Sequence, residues 1–306
     1  MKLVCCWLLT ILIISSCRNE SENRLYRRDT SGTSWPQPVN TDLRAEELAR
    51  QLRQELRSVL IDSVKYYVVE GDLLMDDKEL SEYCIKRFNQ RFPSKDSMRI
   101  ILYEPTLTIG VLPSGRDAVW NVGDTVRYSV SKSSFEDNIS NYNNVVNFMK
   151  QATSDWNNVC NIKFLYVPKS DNVGKDDKPP TTINFFVTQD DVGGAFIAES
   201  FFPGDPISLR KIRLDPSFYN SPYDMTGMLR HELGHILGFR HEHIWSRNRM
   251  CPGESTIYRN LGARQETEYD PYSVMHYLCG DSAGDSRLLL THFDSVGAAK
   301  AYPFPN

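Results

Sequence analysis

The chain has no surplus of basic residues: 35 Lys and Arg stand against 39 Asp and Glu, a formal net charge of -4 over 306 residues. That balance leaves no electrostatic footprint for nucleic acid. No apolar run is long enough to span a bilayer, which takes ~20 residues; the stretch that comes nearest, residues 3–14, is too short. No internal repeat is apparent. Histidine is absent from the first 230 residues, and all six lie at or beyond position 231, so any histidine-built metal site must come from there. What is present is ordinary for a soluble globular protein, with 41% hydrophobic and 24% charged residues. The length suits a large domain preceded by an accessory region.

Lys2 precedes the apolar stretch, which ends in Ile14-Ser15-Ser16-Cys17. A charged start, an apolar run and small residues before a cleavage point describe a secretory signal over residues 1–16. The last four residues resemble a bacterial lipobox, in which Cys17 would be acylated and become the mature N-terminus. An ordinary signal peptide with an incidental cysteine is the alternative. Either reading implies export, and the first anchors the protein by a lipid in the cell envelope, at the outer membrane or cell surface. Outside the signal remain Cys84, Cys160, Cys251 and Cys279. Disulfides are permitted in an oxidising compartment. Four cysteines allow three pairings, of which Cys251 with Cys279 is preferred because the two flank the same site, leaving Cys84 and Cys160 to pair or stay thiols.

Residues 17–40 are polar and lack apolar periodicity, as expected of a flexible tether. From 41 to 115 the pattern suggests a small α/β accessory region. Leu43, Leu48, Leu52, Leu56, Val59 and Leu60 recur near helical spacing, residues 66–69 read as a strand, 77–88 as a helix, and 99–103 and 107–112 as strands. The Pro113-Ser114-Gly115 break marks the start of the main domain, residues 116–306. There, strands are predicted at 125–130, 162–167, 182–187 and 195–202 and a helix at 142–158. The Asp-rich stretch 169–180 does not match a calcium loop and reads as solvated.

Four histidines fall within His231-Glu232-Leu233-Gly234-His235-Ile236-Leu237-Gly238-Phe239-Arg240-His241-Glu242-His243. On a helix, His231 and His235 sit one turn apart on one face and can share a zinc ion, Zn2+, with Glu232 beside it as general base. Gly238 tolerates the left-handed turn that would let His241 reach the same ion. Three protein ligands leave a fourth position for water, as in catalytic zinc sites. Chance assembles such a set in on the order of 10⁻⁵ chains of this length.

With these residues the sequence resembles a metzincin zinc metallopeptidase. Asp270-Pro271-Tyr272-Ser273-Val274-Met275-His276-Tyr277 is similar to the methionine turn of the astacin and serralysin branches. The resemblance implies that Met275 lies beneath the zinc ligands and that Tyr277 reaches the metal. Glu242 after His241 makes the sequence astacin-like, although the usual astacin cysteine framework is missing. The implied fold is α+β: a twisted, mixed five-stranded sheet, an active-site helix and an irregular C-terminal subdomain. In it residues 195–202 would form an antiparallel edge strand for an extended substrate, or else an internal strand. Val69-Glu70-Gly71-Asp72 resembles the propeptide motif that places an aspartate on the zinc, so Asp72 is a latency candidate; Cys84 is a second, and a plain Gly-Asp turn is the alternative.

The implied activity is endopeptidase: a zinc-bound water, activated by Glu232, attacks a peptide bond of an extended polypeptide, and Tyr277 helps stabilise the oxyanion. A zinc-dependent amidase or esterase would use the same metal and base. A non-enzymatic binding module would have no use for Glu232. Oligomeric state is not legible.

Overall fold

The computed structural model describes residues 41–69, 71–90, 107–110, 117–135, 138–177, 180–245, 263–264, 270–277 and 284–305. The signal segment, Cys17, the tether, the strand expected at 99–103 and the Cys251–Cys279 pair lie outside these residues.

The accessory region holds two helices over a small sheet. Helix α1 (Thr41–Glu55) turns Ala45, Leu48, Ala49 and Leu52, spaced three and four apart, toward Leu80, Tyr83 and Cys84 of α2 (Asp77–Gln90). Strands β1 (Ser58–Ile61), β2 (Val64–Val69) and β3 (Leu73–Met75) form an antiparallel sheet in that order. The apolar run expected as one helix through Leu60 is therefore split, because Val59 and Leu60 belong to β1. Asp62 and Ser63 explain the split: both have positive φ, 49° and 66°, and two such residues make the tight turn that fits a hairpin's twist. Val59 is then set opposite Tyr66.

The main body has a five-stranded sheet in the order β6-β5-β7-β9-β8. Strands β5 (Thr125–Val130), β6 (Lys163–Tyr166), β7 (Phe185–Gln189) and β9 (Lys211–Leu214) are parallel, and β8 (Ala198–Glu199) closes the edge antiparallel to β9. This is the mixed sheet of an α+β fold, with β8 at the edge rather than inside and shorter than the sequence pattern suggested. Strand β9 was not anticipated. Helices α3 (Ile139–Asn157) and α4 (Met225–Ile236) pack together on the sheet, with Val145, Met149, Ala152 and Trp156 from one and Leu229, Leu233 and Ile236 from the other in a single core. The Trp156 indole N–H donates to the Arg230 carbonyl at 2.9 Å, fixing their register.

Strand β4 (Ile109–Gly110) pairs with β10 (Ala263–Arg264), and Leu107 and Ile109 are buried in the main core although they precede residue 115. Helix α5 (His292–Ala301) begins on a capping box, in which Thr291 and Asp294 each accept the other's backbone N–H. Cys84 and Cys160 lie in different cores and do not bridge to each other. Among the described residues no helix is long and apolar enough to cross a membrane.

Candidate metal centre

Helix α4 starts where Asp224 caps it, the carboxylate accepting the Gly227 N–H at 2.8 Å. It ends at Gly238, whose φ of 93° lies in the left-handed region. A methyl group there would fall 1.9 Å from the Ala118 carbonyl oxygen, so glycine is required on two counts. The Gly238 N–H donates to the His235 carbonyl at 2.8 Å and the Phe239 N–H to the Gly234 carbonyl at 2.9 Å, closing the helix as the chain turns back. The turn delivers His241 to the face that carries His231 and His235.

The Nε2 atom of His241 stands 3.1 Å from that of His235 and 3.2 Å from that of His231. The imidazoles are aimed from behind: Nδ1 of His231 donates to the Val274 carbonyl at 2.7 Å and Nδ1 of His235 to the Phe239 carbonyl at 2.7 Å. With the proton on Nδ1, both Nε2 atoms present lone pairs inward. Burial pushes His235 down to about 4, which keeps it neutral. Imidazole nitrogens converging at this separation repel unless a cation lies among them, a proton on His241 or a metal ion. Nitrogens ~2.0–2.1 Å from a tetrahedral zinc stand roughly 3.3–3.4 Å apart, so the donor set fits such an ion.

Glu232 is buried beside this triad, and its Oε2 has no hydrogen-bond partner among the described residues. Burial, and next the charge of Asp72, push its carboxyl well above the usual range. Its backbone is held by the Ser200 hydroxyl, which donates to the Glu232 carbonyl at 3.0 Å.

Asp72 completes the cluster from the accessory region. It sits in the turn between β2 and β3, where Gly71 has a φ of 96°. Its carboxylate oxygens lie 3.2 Å from His241 Nε2, 3.3 Å from His231 Nε2 and 3.7 Å from His235 Nε2. The Tyr277 hydroxyl donates to the same carboxylate, and its ring stacks on His231 with centroids 5.2 Å apart. Burial alone would raise the Asp72 carboxyl, but the charge of His241 and the bonds to the three imidazoles outweigh it and hold it well below its ordinary value. Asp72, His231, His235 and His241 together can hold a metal ion. Cys84 is elsewhere, in the accessory core.

Met275 lies against α4, its sulfur 2.3 Å from where a side chain at Gly234 would begin. Gly234, between the ligands, was not singled out in the sequence, yet its bare face admits the methionine. The other unforeseen residues tie the histidine loop and the methionine turn in place. Asp294 accepts from Ser273 Oγ at 2.6 Å and from the Val274 N–H at 2.8 Å, and Val274 in turn orients His231. Glu242 accepts from Thr108 Oγ1 at 2.9 Å and the Asp270 N–H at 3.2 Å, and burial pushes its carboxyl up to about 7. Of these groups Glu242 was read as an astacin-like marker and Asp270 and Asp294 lie near the motif in the chain, whereas nothing in the sequence pointed to Thr108.

The mixed sheet, the helix bearing His231, Glu232 and His235, and the methionine turn beneath it form the arrangement that the resemblance to metzincins implied. Residues 119–264, a little under half of the 306-residue chain, match the family model described as dual-action HEIGH metallo-peptidase; this chain has Leu233 where that motif has isoleucine. No curated protein matches. Among solved structures the chain is similar to myroilysin, at 17% identity with a TM-score of 0.43 over 65% of this chain and 100% of that one. A crystal structure of myroilysin matches at 20% identity and a TM-score of 0.42, over 63% and 89%. A hatching enzyme zinc-protease of Oryzias latipes, high choriolytic enzyme 1, matches at 16% identity and a TM-score of 0.35, over 57% and 87%.

Proposed function

We propose that this protein is an exported, lipid-anchored zinc endopeptidase, tethered through Cys17 and held latent by Asp72. The observation that carries the reading is the convergence of His231, His235 and His241 beside a buried Glu232 whose Oε2 has no hydrogen-bond partner among the described residues, with Asp72 standing among them. Zinc, when bound there, supplies Lewis-acid charge that acidifies water and polarises a carbonyl. Glu232 accepts a proton from the attacking water and returns it to the departing amine. Tyr277, once freed from Asp72, donates its phenol hydrogen bond to the oxygen on which negative charge develops. Among the described residues no strand pairs with the outer edge of β8, and an extended substrate chain would add there. Latency follows from Asp72, which occupies the ground a substrate carbonyl would need and engages Tyr277 as well.

The test is zinc content and cleavage of an unfolded protein by the chain from residue 18 and by its Asp72→Ala and Glu232→Ala variants. We expect zinc in all three, faster cleavage in Asp72→Ala and none in Glu232→Ala. An unchanged rate in Asp72→Ala would remove the latency role. Zinc without cleavage of any protein would turn the reading toward an amidase with a narrow substrate.

A further inference from the structure

Beside Glu232 lies a cavity of about 340 Å³, walled in part by His231, Ile197, Tyr223, Met228 and Leu288. It is large enough for the biggest apolar side chains. Its charged neighbour Arg57 comes from the accessory region and donates to the Gly194 and Ala195 carbonyls at 3.2 and 3.4 Å, so its guanidinium is engaged at the rim.

Leu288 has an unusual backbone. Its φ of 45° is left-handed, a conformation that a bulky residue adopts only under strain. Arg230 sustains it. That guanidinium, itself buried, donates to the Leu288 carbonyl at 2.5 Å and pairs with Asp155 of α3 at 2.7 Å. The arrangement sets the Leu288 side chain over Gly227, whose missing Cβ would come 3.0 Å from that of Leu288, one helical turn before His231. Glycine would relax this backbone, as would asparagine. Leucine strained at the wall of a cavity next to the general base points to a function for its side chain.

We propose that Leu288 is the specificity-determining residue of this peptidase. Held by Arg230, it limits the cavity to a bulky apolar side chain of the substrate residue flanking the bond that is cut. The proposal rests on the peptidase reading and names the substrate class for that site: polypeptides with Leu, Met or Phe beside the scissile bond. An acidic side chain there would bring its charge against Glu232, while the Arg57 guanidinium that also lines the cavity is already engaged by two carbonyls, so the charge would lack a dedicated partner.

The test uses the full chain carrying Asp72→Ala, alone and with Leu288→Gly or Leu288→Arg. Leu288→Gly suits the left-handed backbone and guards against misfolding. Cleavage sites in a mixed peptide library should show a bulky apolar residue at one position flanking the bond, favoured at least about tenfold over Asp. Leu288→Gly should extend the preference to Trp, and Leu288→Arg should turn it toward Asp and Glu. An identical profile for all three would overturn the proposal. Calorimetry with the same chains also carrying Glu232→Ala, titrated with a Leu-bearing and an Asp-bearing peptide, gives a readout independent of turnover. If no chain cleaves, the peptidase reading fails. The pocket assignment then stands or falls on whether Leu288→Arg reverses the order of the two affinities.

Discussion

At the scale of single residues, the site depends on places where a side chain is missing as much as on those where one is present. Gly234 leaves room for the Met275 sulfur, and Gly238 both adopts φ 93° and lets the chain pass the Ala118 carbonyl. Alanine at 238 would meet that carbonyl at 1.9 Å, and the left-handed strain alone costs roughly 1–3 kcal/mol. We expect Gly238→Ala to displace His241, lower the melting temperature and cut zinc stoichiometry below one; full zinc retention at an unchanged melting temperature would contradict this account. The histidines, Glu232, Gly238 and Met275 were legible because their chemistry is local in sequence. Thr108, Asp270 and Asp294 were not, since each acts across the fold.

Among the elements, β9 escaped notice for a physical reason. Its sequence Lys211-Ile212-Arg213-Leu214 reads as half polar, yet it lies between β7 and β8, and Arg213 is buried. A guanidinium can occupy that position because Glu199 on β8, also buried, pairs with it, and Asp190 stands 4.0 Å away. Burial pushes Glu199 up to about 7 against the pull of Arg213; with the guanidinium bonded to it we take the pair as ionised. Breaking such a pair from one side costs on the order of 3–5 kcal/mol, while replacing both partners by apolar groups is often neutral. Urea denaturation of Arg213→Met should therefore show a large loss of stability, and Glu199→Leu added to it should recover much of that loss. Equal stability of the single variant and the parent would mean that the pair does not hold the β8 edge of the sheet. A similar case is Asp171, in a stretch that reads as solvated. It is buried, accepting from Ser129 Oγ at 2.5 Å, Tyr142 at 2.7 Å and Tyr166.

For the molecule as a whole, the accessory region has its own core and reaches the metal centre through Asp72, while a second apolar cluster joins Val59, Tyr66 and Val68 to Phe196 of the main body. The segment 107–110 belongs with the main core. Its Thr108 carbonyl accepts the Arg240 N–H at 2.9 Å, and its Gly110 N–H donates to Gly238 at 2.8 Å, on either side of the turn leading to His241. Burying a Leu or Ile contributes roughly 1.5–3 kcal/mol, so loss of Leu107 and Ile109 is severe. Zinc-loaded chains beginning at 107 and at 116 should differ accordingly: the longer folds and cleaves without Asp72 to restrain it, and the shorter melts several degrees lower. Matching melting temperatures would show that the segment is dispensable.

The sequence by itself pointed to the metal chemistry proposed here, because His231, Glu232 and His235 lie within about one turn of a helix and His241 follows a glycine that must reverse the chain. It also determined the main strands β5 to β7 and helices α1 to α4, whose patterns are local properties, but not α5. Only the tertiary structure decided where β9 and the edge β8 lie, since a buried Arg–Glu pair hides the hydrophobic pattern. It alone brought Asp72 across 169 residues of chain to within 3.2 Å of His241, because contact at that separation is set by how two cores pack and not by any neighbouring residue.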